Sequence, residues 1–124
     1  MIGENLNHEA WAEGLKKTGV EYLPKLSRGL TAITELMRNG NEAEGARFFA
    51  QATESLRWLV GLLTNISLVK ASEIEKFGED LNTLLTAWEN EDYVLIADLL
   101  EYEMAPFVEQ VNSALLSLEE KKKM

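Results

Sequence analysis

No cysteine occurs in the chain, and its one histidine is His8. A disulfide framework and a thiolate site are thereby excluded, and zinc would have to rely on that histidine and on carboxylates. The paired Glu-x-x-His segments of di-iron bundles are excluded by the same count. No cofactor is expected. Positive charge is scarce: 12 Lys and Arg face 21 Asp and Glu, a formal net charge of -9. Such a field repels phosphate backbones, so nucleic acid is not an expected ligand. The basic cluster Lys121–Lys123 lies in a charged tail, residues 119–124, where cations suit the negative end of a helix dipole. Long apolar runs are missing too. The longest uncharged stretch, Trp58 to Val69, has 12 residues and includes Thr64, Asn65 and Ser67, against about 20 needed to span a bilayer. The opening MIGENLNHEAWAEG has no basic stretch leading into an apolar one. Neither a secretory signal nor a membrane contact is expected, and the cytoplasm is the expected compartment.

What is present is a core. A chain of 124 residues with 46% hydrophobic content is the size of one domain and can bury a core without covalent staples. A single domain over residues 1–124 is expected, with residues 1–19 weakly ordered because Gly14 and Gly19 disfavour a helix there. Met1 to Asn7 is read as loose, with Asn7 capping a short helix that carries Trp11 and Leu15.

Val20, Leu23, Leu26, Leu30, Ile33 and Met37 recur at intervals of three and four, the period of an apolar helix face. This helix is expected to start near Leu23, with Pro24 in its first turn, or else to be one long helix kinked at the proline; it should end at Asn39-Gly40. Asn41 and Glu44 have the spacing of a capping box for a central helix carrying Phe49, Ala52, Leu56, Leu59, Leu63 and Ile66 on one face. Ser72 and Glu75 repeat that spacing before Ile74, Phe77, Leu81, Leu84 and Trp88, and Asp92 can cap a fourth helix. In the fourth helix Tyr93, Ala97, Leu100, Met104, Phe107, Val111, Ala114 and Leu118 keep the alternation. Pro106 is expected to bend this helix near Tyr102 and Glu103 without dividing it. The expected architecture is all-α: an antiparallel, left-handed, up-down-up-down four-helix bundle with a short extra N-terminal helical segment. Leu56, Leu59, Leu84, Trp88, Leu100 and Phe107 are expected in one contiguous core.

The central helix is apolar on a second side as well, through Phe48, Trp58 and Leu62. Trp58 and Leu62 are four apart, and Phe48 lies ten before Trp58, close to three turns away on the same side. Two coverings are open for that face: a second copy of the chain in a homodimer, or the N-terminal segment folded over it with Trp11 and Leu15.

Carboxylates are plentiful, but helical nucleoside triphosphate hydrolases hold magnesium with Glu-Glu-x-x-Glu on one helix and Glu-x-x-Asp on the next. Three before Asp98 stands Leu95, and no Glu-Glu-x-x-Glu occurs. Asp98, Glu101 and Glu109 read as a solvated face, and Glu103 as the partner of a cation such as Lys25, Arg28 or Arg47. The segments RWLVGLL and IADLLEYEMAPFVEQ resemble short all-helical bacterial proteins of unassigned function. That resemblance implies a bacterial cytoplasmic protein and transfers no site. The functional expectation is a protein-protein interaction module, binding itself or a helical partner through Phe48, Trp58, Leu62 and Trp11, with no catalytic or metal-binding residue assigned. The alternative is a divalent-metal hydrolase using the carboxylates of the fourth helix.

Overall fold

A computed structural model describes residues 2–123, with side chains from Trp11 to Lys121. The chain forms α1 (Ile2–Arg38), α2 (Glu42–Asn65), α3 (Ala71–Glu89) and a fourth helical rod made of α4 (Tyr93–Leu99), a π-helical turn (Leu100–Met104) and α5 (Ala105–Lys123). The described residues contain no strand. The fold is an all-α bundle, and none of its described helices is long and apolar enough to cross a membrane.

Side-chain contacts give the direction of each neighbouring pair. Tyr22 touches Ser55 and Gly45 lies against Met37, so α1 and α2 run oppositely. Phe49 stacks on Trp88 across α2 and α3, and Phe77 on Phe107 across α3 and α5. Arg38 near the end of α1 meets Asp98 in α4, while Ser27 meets Glu109 further along α5. One hydrophobic cluster fills the interior. Leu56, Leu59, Leu84 and Leu100 are fully buried in it, whereas Trp88 and Phe107 are half-buried at its edge, each with one ring face on another aromatic.

The expected separate N-terminal helix is instead continuous with the next one. α1 has 37 residues and passes through Pro24, about 55 Å of helix. Proline there removes only the bond to the Val20 carbonyl, and Gly19 does more than weaken the helix. A Cβ at Gly19 would stand 2.7 Å from Leu115 Cδ2 and 3.5 Å from Leu62 Cδ2. The missing side chain lets α1 approach α2 and α5 together, and that packing outweighs a helix-propensity cost of about 1 kcal/mol. The Asn7 cap and the surroundings of His8 lie outside the described side chains.

Helix ends follow local chemistry with some changes of partner. Gly40, at φ 80°, closes α1, and the Asn41 amide donates to the Leu36 carbonyl at 2.8 Å. Asn41 precedes α2, but its side chain makes no capping hydrogen bond. α3 starts one residue before Ser72, and its cap is formed by Glu73, whose carboxylate accepts from the Lys70 amide at 3.3 Å. Asp92 caps α4 as expected, accepting from the Leu95 amide at 3.1 Å.

Glu91 closes α3 in the left-handed region, at φ 54°, with the Asp92 amide on the Ala87 carbonyl at 2.9 Å. This is the geometry glycine adopts at Gly40, and an L side chain is strained in it. Glu91→Gly is therefore expected to raise the unfolding free energy by about 1 kcal/mol. The midpoint of urea denaturation checks it: an unchanged or lowered midpoint would show that the Glu91 side chain contributes something at the turn.

The fourth rod stays helical through Pro106, and the disturbance lies in the turn before it. Proline has no N–H for the Tyr102 carbonyl, and the Ala105 amide reaches back five residues to the Leu100 carbonyl. This wider turn moves part of the stripe that follows it by one residue, while Met104 and Val111 stay buried as expected. Val108 and Leu115 are buried in place of the expected Phe107 and Ala114, which are half-buried, as is the expected Leu118.

Candidate functional site

Two stripes run along α1. Leu23, Leu26, Leu30, Ile33 and Met37 face the core. Beside them Trp11, Leu15, Thr18, Tyr22, Lys25, Gly29 and Ala32 recur at four and three, which places them on the side toward α2. On α2, Phe48, Gln51, Ser55 and Trp58 occupy the matching flank. Between these flanks lies a groove in two adjoining parts of about 250 and 260 Å³ that share Tyr22 and Ser55. Phe48, Gly29, Ala32 and Lys25 line one part, and Trp58, Thr18 and Glu54 the other.

Tyr22 divides the two parts. Its hydroxyl is hydrogen-bonded to the Ser55 hydroxyl. Its ring meets Trp58 edge to face, with centroids 5.9 Å apart. The groove surface is mostly carbon: Phe48 is 42% exposed and Tyr22 38%, and Trp58 is half-buried. Gly29 lines the groove mid-helix, with no neighbouring atom within 4 Å of a Cβ placed there. Its retention costs α1 about 1 kcal/mol relative to alanine, and no contact within the chain requires it.

The residues proposed from sequence divide here. Phe48 and Trp58 do line one continuous face. Leu62 does not: it is 1% exposed and lies beneath α1 at Gly19, so it belongs to the core and cannot anchor a partner. Trp11 is 48% exposed but stands eight residues before Gly19, about 12 Å along α1, whereas α2 ends three residues after Leu62. It is Tyr22, rather than Trp11, that covers Trp58. Tyr22, Gly29 and Glu54 were not picked out by sequence reasoning, and Lys25 only as a cation for Glu103, although the second stripe on α1 was there to be counted.

Three acidic residues of the fourth rod, Asp98, Glu101 and Glu103, are held by cations. Arg38 Nη2 lies 2.9 Å from Asp98 Oδ1, its Nη1 is paired with Glu101, and its guanidinium carbon stands 5.9 Å from the centroid of the Tyr102 ring. Glu103 is bound by none of the expected Lys25, Arg28 or Arg47. Lys76 takes it, with Nζ at 2.8 Å from both Glu103 Oε2 and Asp80 Oδ2, and these hydrogen bonds hold the ammonium above its ordinary pKa. The Gln110 amide, at 2.6 Å, and then the Lys70 N–H hold the Glu73 carboxyl below its ordinary value. Among the described residues no three His, Cys, Asp or Glu gather into a metal-binding group.

A family model described as "Domain of unknown function (DUF8042)" matches residues 15–114. The chain belongs to this family. The DUF8042 match takes in the whole α1–α2 groove, the π turn and Pro106, and it leaves Trp11 outside. No curated protein and no solved structure matches the chain.

Proposed function

We propose that this DUF8042 domain is a protein-interaction module whose docking face is the α1–α2 groove. The observation that carries this reading is the groove itself. It is an apolar channel with exposed Phe48 and Tyr22 on its walls and, at Gly29, backbone that nothing in the chain approaches. Aromatic anchors and close backbone approach are what a docked helix or a second domain uses. Scattered exposed apolar residues are ordinary on a protein surface, but these are contiguous. The metal-hydrolase alternative draws no comparable support, because Asp98, Glu101 and Glu103 point to Arg38 and Lys76.

A photo-crosslinking amino acid placed at Phe48, with one at Val94 as comparison, tests the proposal in cells. Val94 is 74% exposed on α4, away from the groove. Protein adducts from position 48 and few from position 94 are expected. Adducts from position 94 alone, or none from position 48, would overturn the groove as the docking face.

A further inference from the structure

Charge is unevenly distributed over the bundle. Acidic residues dominate from Ile66 to Glu120, whereas basic residues outnumber acidic ones from Leu15 to Asn65. The net charge of -9 therefore comes largely from α3 and the fourth rod, and the α1–α2 side has a field of its own. Three of its cations stand around the Phe48 part of the groove. Lys25 lines that part on α1. Arg28 is three residues after Lys25 and four before Ala32, another lining residue, so it rises from the same lip. Arg47 is four before Gln51 and next to Phe48, on the opposite lip.

All three are exposed, and none forms an ion pair among the described residues. Arg38 and Lys76, by contrast, are each shared between two carboxylates. No acidic residue lines the Phe48 part. Acidic residues stand at the ends of the band instead: Glu54 lines the Trp58 part, Glu21 is four before Lys25, and Glu44 is four before Phe48.

The cations share a short length of groove. Tyr22 is level with Ser55, and Met37 with Gly45, which sets Arg47 level with the residues just beyond Ala32. From Lys25 to that level is about 12 Å of helix, or about two turns. An apolar channel between two antiparallel helices admits a rod laid along it, and a third helix is such a rod. Its apolar side would fill the channel against Phe48 and the bare backbone of Gly29. Carboxylates on its flanks would then meet Lys25 and Arg28 on one lip and Arg47 on the other.

We infer that the occupant of the groove is an amphipathic helix of another protein, with carboxylates on both flanks of its apolar stripe over the Phe48 part. This rests on the groove being the docking face and names the chemistry of what fills it. Complementary charge around an apolar centre steers the partner in and rejects helices whose flanks are basic. The band also limits the partner's acidic stretch. Beyond about two turns its carboxylates would meet Glu44 at one end and Glu54 at the other, so its ends are neutral or basic.

A displayed library of helical peptides of about 14 residues, about 21 Å long, tests the inference. The apolar stripe is fixed and the flanking positions vary among Glu, Gln and Lys. Selected on the full chain, peptides with Glu at the central flanks are expected to be enriched at least about tenfold over those with Lys. On a chain carrying Lys25→Glu, Arg28→Glu and Arg47→Glu the preference should turn to Lys, at an unchanged melting temperature. Gly29→Leu fills the channel without altering charge and should abolish selection of either kind. Selection of no helix, a preference for Lys, or a preference for Glu that survives the triple reversal overturns the inference. If peptides bind without any flank preference and Gly29→Leu still abolishes binding, the groove remains the docking face and only the acidic partner is lost. Binding indifferent to Gly29→Leu removes both. Sedimentation velocity on the chain alone tests the other occupant: a dimer that Gly29→Leu dissociates would give the groove to a second copy and overturn the inference.

Discussion

Truncating Phe49 to alanine is expected to remove about 3 to 5 kcal/mol of stability, enough to leave much of the protein unfolded at room temperature if the domain has the usual total of about 5 to 15 kcal/mol. Phe49 is 2% exposed and is among the largest side chains fully inside the bundle. Its ring stacks on Trp88 with centroids 4.7 Å apart and planes 22° from parallel, so it fills the interior and ties α2 to α3 at once. Trp88→Ala should cost less, because the indole is only partly buried and Ala87 beside it takes the deeper position. A double-mutant cycle over the two positions should return a coupling of about 0.5 to 1.5 kcal/mol, the usual range for an aromatic pair beyond its area. Urea denaturation followed by helical circular dichroism is the measurement. A Phe49→Ala loss under about 1 kcal/mol, well below the range for such truncations, would mean that α2 and α3 do not meet through this pair.

The sequence was most legible where one regular helix packs on others without interruption. The stripes through Leu56 and Leu59, and through Phe77, Leu81 and Leu84, are buried as their spacing requires. Past Leu100 legibility was partial: Met104 and Val111 are buried as expected, but Phe107, Ala114 and Leu118 are not. An uninterrupted three-four alternation through Phe107, Ala114 and Leu118 assumes α-helical pitch, and the π turn at Leu100–Met104 adds nearly a residue to one turn. Only Pro106 hinted at it, and a proline by itself does not say whether the backbone bends, breaks or widens. The groove was half-legible for a related reason. Phe48 and Trp58 form a second stripe that one helix can show alone. That Leu62 is covered depends on how closely α1 approaches, and that Tyr22 meets Ser55 and Trp58 depends on the register of two helices. Neither property is written in the period of either helix. Glycine misled most directly: as a weak helix former Gly19 argued for a loose segment, whereas its missing side chain is what joins that segment to the bundle.

Gly19→Leu should be the most disruptive enlargement in α1, costing about 1 to 3 kcal/mol or more, and Gly29→Leu the matched change that costs nothing of the kind. At position 19 the first added atom already lies 2.7 Å from Leu115 Cδ2, and Leu115 and Leu62 are themselves buried. Alanine there is a different case. One terminal methyl of Leu115 can turn aside, and the gain in helix propensity, about 1 kcal/mol, offsets the strain. Leucine has three further carbons to place between α1, α2 and α5, and the three helices must separate to admit them. Separation has its own signature, because it draws Tyr22 away from Trp58 and opens the indole to water. Gly19→Leu should therefore combine a lowered urea midpoint with a red shift of tryptophan fluorescence before unfolding, and Leu115→Ala in the same chain should restore part of both by making space. A Gly19→Leu variant with the parent's midpoint and emission would show that α1 does not approach α2 and α5 this closely, and the groove geometry that depends on the approach would fall with it.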